Sequence, residues 1–245
     1  MIQSVNHAVD ILRCFETREL LGITEISAMT DLNKSTAFGI VATLTANGLL
    51  EQDEATGRYR LGLELFRLGN LVNTSTRRLV LPELEQLVNE LEETVNFVRP
   101  DGNDVVYLIK KESSHSMRIC TKTGQRLPMY CTAVGKAILA YLPEDQRSAI
   151  IDSFQFAPYT VNTVADAAAL RVQLQQAVSL GYAIEREEFE YGLICVAVPV
   201  LDSRGYPVAA ISCSGPKTRM TEEKIARCRT SLLSCAKHLT SLLPN

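Results

Sequence analysis

The N-terminal part of the chain places apolar residues at steps of three and four, the spacing of short amphipathic helices. Ser4 is the N-cap we expect for a first helix, and Thr24 the N-cap for a second. The predicted inward faces comprise Val5, Ala8, Val9, Leu12 and Phe15 on the first helix, and Ile26, Ala28 and Met29 on the second. Residues 31–33 then supply turn formers around one apolar anchor, so a third helix should follow closely.

That third helix is predicted to begin near Lys34. Its apolar stripe comprises Ala37, Ile40 or Val41, and Leu44, and its outward side comprises Ser35, Thr36, Phe38, Gly39 and Thr43. Asn47-Gly48 can end the helix, and residues 49–52 and 58–61 have the pattern of a β-hairpin. Three helices followed by a hairpin are the plan of a winged helix-turn-helix, in which the outward residues of the third helix meet the DNA major groove.

The charge of this segment is an argument against DNA binding. Residues 1–75 carry six Lys and Arg side chains against nine Asp and Glu side chains, whereas DNA affinity depends strongly on phosphate neutralisation. Small helices with a hairpin also occur in folds that bind protein or dimerise. A DNA-binding function therefore needs local groups: the N–H groups and hydroxyls at the start of the third helix, with Arg58 and Arg60 on the wing.

The rest of the chain predicts a connector helix and then an α+β domain. Leu63, Phe66, Leu68 or Gly69, and Leu71 mark the connector, and a longer helical pattern runs from Thr76, with Pro82 near its first turn. Strands are predicted at 94–99, 105–110, 117–121, 193–201 and 208–214, and helices at 133–141, 143–154, 165–180 and 221–243. Turns at 100–103 and 202–205 imply a largely antiparallel sheet carrying helices. The expected domains are 1–62, a linker helix at 63–75, and 76–245.

Length and composition limit the classes of protein. The chain has 245 residues, 46% of them hydrophobic and 22% charged, enough for two globular domains. No run of about eighteen apolar residues occurs and no charged segment precedes an apolar start, so we expect no membrane span and a cytoplasmic location. Seven cysteines form no C-x-x-C pair, which suits a reducing compartment. The three histidines lie far apart, and no cofactor-binding motif is present, so we expect neither a metal nor a cofactor.

Motifs along nearly the whole chain match those of one family. They include Lys34-Ser35-Thr36, Tyr59-Arg60-Leu61-Gly62, Gly124-Gln125-Arg126-Leu127-Pro128-Met129, Gly135-Lys136-Ala137, Gly181-Tyr182-Ala183, Glu187-Glu188, residues 192–200, and Ser214-Gly215-Pro216. The sequence resembles the IclR family of bacterial transcriptional regulators. The resemblance implies an N-terminal winged helix, a linker helix and a C-terminal effector domain of GAF-like topology with an antiparallel sheet. It also implies dimers or dimers of dimers on double-stranded operator DNA, and it favours DNA binding over the charge argument.

The chain departs from the family pattern in two places. Many members carry a polar or basic pair where this chain has Phe38-Gly39, so the usual arginine contact to guanine is missing. Phe38 could instead contact thymine methyl groups, or it could be a core residue displaced by a rotation of the helix. Glu185 stands where the family usually has Asp or Ser, and its extra methylene reaches further into the expected cavity. Both the operator and the effector should therefore differ from those of other members.

An effector site can be predicted from chemistry and from the resemblance. Thr132-Ala133-Val134 begin a predicted helix, where N–H groups and the helix dipole favour a carboxylate. The positions that match the family's pocket are Ala133, Val134, Glu185, Leu193, Cys195, Ser212 and Ser214, with Met117 as a further candidate. These residue types suit a small hydroxylated or keto acid. The alternative for the two serines is plain strand alternation, and that for Cys195 is a buried core thiol.

We therefore expect a ligand-responsive transcriptional repressor, not an enzyme, whose operator affinity is set by a small carboxylic acid. The predicted DNA contacts are Lys34, Ser35, Thr36, Phe38, Gly39, Thr43 and Arg58. One alternative is a cysteine-dependent metabolic enzyme, but no histidine has a motif context near Cys131, Cys195 or Cys213. Another is a module that senses ligand without binding DNA.

Overall fold

The computed structural model describes residues 2–72, 74–119 and 121–242. Three positions that carry sequence predictions lie outside the described residues: Asn73 in the expected linker, Cys120 in the expected strand 117–121, and Leu243 at the expected end of the last helix. The chain divides into two compact units, one up to Thr74 and one from Ser75 onward.

The first unit contains the expected three helices, hairpin and connector helix. Its elements are α1 Gln3–Arg13, α2 Ile23–Thr30, α3 Lys34–Ala46, β1 Leu50–Gln52, β2 Tyr59–Leu61 and α4 Leu63–Leu71. A short 3-10 helix, Cys14–Glu16, follows α1, and β1 pairs antiparallel with β2. A Cβ at Gly62 would lie 2.1 Å from the carbonyl oxygen of Gly48, so the base of the wing tolerates only glycine at this close approach.

The core of this unit confirms the predicted face of α3. Ala37, Val41 and Leu44 are buried, while Ile40 is only partly buried, which decides between the two positions left open for the stripe. They pack on a small cluster of apolar residues from every element, including Ile11, Leu21, Ile26 and Leu50. Because α3 uses a narrow stripe for packing, its other side chains remain on the surface.

Several predictions for α1 and α2 were wrong. Ser4 lies inside α1, and α2 is capped at Gly22, whose N–H donates to Glu25 Oε2 at 2.8 Å, rather than at Thr24. The side chains of Val5, Val9, Ala28 and Met29, expected in the core, are exposed. The reason is that only the C-terminal half of α1 and one residue of α2, Ile26, are fully buried in this unit.

The second unit is an α+β domain. Its elements are α5 Thr74–Leu91, β3 Thr94–Asp101, β4 Asp104–Lys111, β5 Arg126–Pro128, α6 Ala133–Tyr141, α7 Glu144–Asp152, α8 Ala167–Leu180, β6 Ala183–Arg186, β7 Leu193–Leu201, β8 Pro207–Pro216 and α9 Glu222–Leu242. The strands form one sheet in the order β5-β4-β3-β8-β7-β6, and every neighbouring pair is antiparallel, as expected.

Helices cover both faces of this sheet. Ala197 and Ala210 face a cluster that includes α6 and α8, whereas Val196 and Ile211 face a cluster that includes α5 and α9. Strand β7 is therefore buried on both sides, which explains its nearly continuous apolar sequence. A Cβ at Gly135 would lie 2.3 Å from the backbone of Met129, so this glycine lets the start of α6 approach the segment after β5.

The predictions for this unit failed in three places. Residues 117–119 and 121 form no strand, whereas the three-residue β5 and the four-residue β6 went unpredicted. Pro82 lies in the interior of α5 rather than in its first turn, because the helix begins earlier than its apolar pattern. Short strands carry too few residues for a clear alternation, so their absence from the prediction has a simple cause.

Candidate functional site

The outward side of α3 is formed by the residues expected to read DNA. Asn33 caps the helix, and its Oδ1 accepts hydrogen bonds from the N–H of Thr36 and the hydroxyl of Ser35, both at 2.8 Å. The side chains exposed on this helix are Lys34, Ser35, Thr36, Phe38 and Thr43, and Gly39 has open space beside it. The first turn of α3 therefore presents a fixed polar surface to solvent.

Phe38 is the one large apolar side chain on that surface. It is 56% exposed, which rules out the interpretation that it is a displaced core residue. Its neighbour Gly39 adds no side chain, so the Phe38 ring stands clear of the helix on that side. Such a ring can contact a thymine methyl group but cannot make hydrogen bonds to a guanine.

The arginines of the wing are held by glutamates. Arg58 Nη2 lies 2.5 Å from Glu25 Oε2, and Arg60 Nε lies 3.2 Å from Glu51 Oε2. The N–H of Gly22 and the neighbouring guanidinium groups hold the pKa of Glu25 below its usual value. Arg58 thus joins the wing to α2, so its side chain has a structural partner in addition to any role on DNA.

The second unit contains a cavity of about 260 Å³ between the sheet and the start of α6. Eight of the nine side chains predicted for the effector site line it: Thr132, Ala133, Val134, Glu185, Leu193, Cys195, Ser212 and Ser214. Strands β6, β7 and β8 supply five of these residues, and α6 with its N-cap supplies the other three. The sheet register explains the grouping, since Glu185 pairs with Cys195 and Cys195 pairs with Ser214.

The N-terminus of α6 presents its N–H groups to this cavity. The Thr132 hydroxyl accepts from the N–H of Gly135 at 3.2 Å and donates to the carbonyl of Pro128 at 2.9 Å, so it is occupied within the protein. Within the part of the chain that the structure describes, no acceptor meets the N–H of Ala133 or Val134. Two unpaired donors at the positive end of a helix favour an anion.

A buried asparagine orients one of the serines. Asn96, on β3, is fully buried, and its Nδ2 donates to Ser212 Oγ at 3.3 Å, while its Oδ1 accepts from the Thr121 hydroxyl at 3.0 Å. Because Ser212 Oγ accepts this hydrogen bond, its own hydrogen is available to donate toward the cavity. The arrangement gives a third donor facing the same space as the α6 N–H groups.

Glu185 is the buried carboxyl group of the cavity. Its Oε1 accepts from the N–H of Glu188 at 2.5 Å and from that of Phe189 at 3.2 Å. Burial raises the pKa of Glu185 to about 7 in spite of these hydrogen bonds. The group can therefore accept a hydrogen bond when ionised and donate one when protonated, both within the neutral pH range.

The structure does not place Met117 in the cavity wall. Its side chain is 69% exposed, and its carbonyl accepts from Arg219, which forms an ion pair with the buried Glu93. The wall residues that sequence reasoning missed are Tyr107, Arg118, Ile119, Thr121, Gln125, Leu127, Phe189 and Glu190. Gln125 and Leu127 belong to the motif 124–129, which was a signal for them; the others come from loops and from β4, where no motif marks them.

The thiols give no support to cysteine chemistry. Burial raises the pKa of Cys131 to about 12 and that of Cys195 well above its usual value, so both remain protonated at neutral pH. Among the described residues, no three or more His, Cys, Asp or Glu side chains come together as a metal site would require. No helix in the described ranges is long and apolar enough to cross a membrane.

Comparison with known proteins decides the family. The family model for the IclR helix-turn-helix domain matches residues 4–54, and that for the C-terminal part of bacterial IclR regulators matches residues 69–241. The chain belongs to the IclR family of bacterial transcriptional regulators. It is 34% identical over 246 residues to the regulator XynR of Escherichia coli, covering 99% of this chain and 98% of XynR. It is 31% identical to the repressor AllR of Salmonella paratyphi A, covering 98% and 90% of the two chains.

A solved structure agrees with this membership. The crystal structure of the IclR protein of Thermotoga maritima matches with a TM-score of 0.78 and 29% identity, covering 98% of each chain. The family and these relatives are transcriptional regulators, not enzymes. The interpretation as a cysteine-dependent enzyme is therefore set aside.

Proposed function

We propose that this IclR-family regulator is a repressor whose affinity for operator DNA is set by a small carboxylic acid in the 260 Å³ cavity. The observation that carries the proposal is the convergence of three donors on one enclosed space: the N–H groups of Ala133 and Val134 and the hydroxyl of Ser212. Donors without an internal acceptor, at a helix N-terminus, suit a carboxylate.

The other walls define the rest of the effector. Leu193 supplies an apolar side, and Glu185 can pair with a hydroxyl or amino group of the acid. The proposed effector contacts are Thr132, Ala133, Val134, Glu185, Leu193, Cys195, Ser212 and Ser214. The small volume favours an acid of few carbon atoms, such as a hydroxylated or keto acid.

The DNA-binding part of the proposal rests on α3 and the wing. The proposed contacts are Lys34, Ser35, Thr36, Phe38, Gly39, Thr43 and Arg58. The relative AllR is named a transcriptional repressor, which supports repression here. The proposed function implies a cytoplasmic location, since operator DNA lies in that compartment.

Dimerisation is part of the proposal because the first unit exposes apolar side chains that its own core leaves uncovered. Ile2, Val5 and Val9 project from the start of the chain and α1, while Leu63 and Phe66 on α4 are 75% and 73% exposed. Contiguous apolar surface of this kind marks an interface. A second copy of the chain would cover it, and the spacing of two α3 helices would then match two operator half-sites.

Coupling between the sites completes the proposal. An acid that favours one arrangement of the two winged helices changes the DNA affinity by its differential affinity for the two arrangements. A coupling free energy of about 1 to 3 kcal/mol would change DNA affinity about five- to 150-fold.

The test is binding of the purified protein to the intergenic DNA upstream of its own gene, with and without a panel of small carboxylic acids. We expect specific, salt-dependent binding that one acid weakens. If the protein binds an acid but no such DNA at any salt concentration, the DNA-independent sensing module replaces the repressor.

A further inference from the structure

A second cavity, of about 450 Å³, lies along the outer side of the edge strand β6 and beneath α8. Its wall includes Lys136 from α6, Gln173 from α8 and Glu188 from the turn after β6. None of these three residues lines the effector cavity, so the two spaces have separate polar walls.

The base of the cavity is a buried ion pair with unused hydrogen-bonding capacity. Lys136 is 1% exposed and Glu188 is 6% exposed, and Lys136 Nζ donates to Glu188 Oε1. The second carboxylate oxygen, Oε2 of Glu188, is buried and meets no hydrogen-bond donor among the described residues. The same holds for Oε1 of Gln173. Two buried acceptors without donors, in the wall of one cavity, are costly unless something donates to them.

The chemistry of the wall specifies what that donor should be. Glu188 already has a cationic partner, so a further positive charge is not required at Oε2. A neutral hydroxyl can donate to Glu188 Oε2 and accept from a remaining N–H of Lys136, and a second hydroxyl of the same molecule can donate to Gln173 Oε1. Leu180, Tyr182 and Ile184 line the cavity as well and offer an apolar side to a carbon skeleton.

We propose that this cavity is a second small-molecule site that binds a polyhydroxylated compound, of the class of sugars and sugar alcohols. Two or more hydroxyls on adjacent carbons meet the two acceptors and the ammonium, and the C–H face of the compound packs on the apolar side. The proposal goes beyond the carboxylic acid of the effector cavity and uses none of its wall residues.

The test uses the full-length protein, with xylitol and myo-inositol as probes and saturation-transfer NMR as the readout. Polyols stabilise most proteins because they are excluded from protein surfaces, so a melting temperature would not report binding at one site. The variant Gln173→Met removes one acceptor and replaces it with an apolar side chain of similar size, which is compatible with folding because that acceptor has no partner. The matched control is Gln175→Met, the same substitution on the same helix at a residue outside this cavity.

We expect saturation transfer to at least one probe in the wild type and in Gln175→Met, with an affinity at least about fivefold weaker in Gln173→Met. A second readout needs no variant: the probe should shift the side-chain amide resonances of Gln173 and leave those of Gln175 in place. Equal transfer in all three proteins, or no transfer to either probe, would overturn the proposal and leave the cavity to water. Ser212→Ala should not change probe binding, so failure of the effector proposal and failure of this one remain distinct.

Discussion

The side-chain amide of Asn96 donates to Ser212 Oγ at 3.3 Å between the paired strands β3 and β8. The same asparagine accepts from the Thr121 hydroxyl, so one fully buried residue connects two residues of the cavity wall. This relationship fixes the direction in which Ser212 donates, and it makes Ser212 the sharpest position for testing the effector site.

Ser212→Ala should weaken the effector response and leave DNA binding in the absence of effector intact. The variant loses one hydrogen bond to a charged ligand, so we expect effector affinity to fall roughly tenfold or more. Titration calorimetry with the effector and fluorescence anisotropy with operator DNA measure the two effects separately. Ser179→Ala, on the exposed side of α8, is the control. Equal losses of effector and DNA binding would indicate a folding defect instead, since Asn96 would be left without its acceptor.

Arg58→Ala should weaken DNA binding for all sequences and reduce its dependence on salt. Loss of one phosphate contact lowers the slope of the logarithm of affinity against that of salt concentration by about 1. Arg18→Ala is a matched control, because Arg18 also pairs with Glu25, at 3.2 Å, and its loss removes a partner of the same carboxylate. If the slope stays the same in Arg58→Ala, Arg58 only braces the wing against α2.

Glu185→Gln should remove a pH dependence of stability and of effector binding. Burial raises the pKa of Glu185 to about 7 from its usual 4.5. Between these values the folded protein keeps a proton that the unfolded chain has lost, so the wild type's free energy of unfolding falls as pH rises through this window. The advantage of Glu185→Gln over the wild type should therefore grow from pH 4.5 to 7, by on the order of 3 kcal/mol, and then level off.

The same carboxyl should govern the affinity for an acid. Above pH 7 the ionised Glu185 repels a bound carboxylate, so wild-type affinity should fall as pH rises, whereas that of Glu185→Gln should not. Glu190→Gln, at another acidic residue of the cavity wall, is the control. Parallel pH profiles in the wild type and Glu185→Gln would show that Glu185 does not face the effector.

Lys136→Met should strongly destabilise the second unit. The substitution leaves Glu188 buried without its cation, and breaking a buried ion pair in this way costs about 3 to 5 kcal/mol. Lys217→Met, which breaks the exposed pair of Lys217 with Glu187, should cost less than about 1 kcal/mol. Denaturant unfolding measures both, and the double variant Lys136→Met/Glu188→Leu should recover part of the loss. Similar costs for the buried and exposed pairs would contradict this assignment.

Sequence reasoning succeeded best where long apolar runs end at clear boundaries. Helix α6 and strand β7 occupy the predicted residues, 133–141 and 193–201, because turn formers flank each run. It failed for the inward face of α1, since periodicity identifies an apolar stripe but not whether that stripe packs on the chain's own core. Val5 and Val9 fit the pattern and are nevertheless exposed.

The candidate site was predictable in its strand and helix residues but not in its connections. Ser212 and Ser214 alternate along β8 and were identified with the family's help, whereas Asn96 was not. Its contact with Ser212 depends on the register of two strands that are separated by most of the second unit in sequence. Met117 was misplaced for a related reason: the loop that holds it carries no periodic pattern, and its neighbours Arg118 and Ile119 face the cavity instead.

The most direct test of the central claim is a closed thermodynamic cycle with one acid and one operator. DNA affinity is measured with and without saturating acid, and acid affinity is measured with and without saturating operator, all at one salt concentration and one pH. Linkage requires the two ratios to be equal, and we expect both to lie between about fivefold and 150-fold, with operator-bound protein holding the acid more weakly. Ratios of one, for a protein that binds both molecules, would contradict the account, because the two sites would then be present on one chain without communicating.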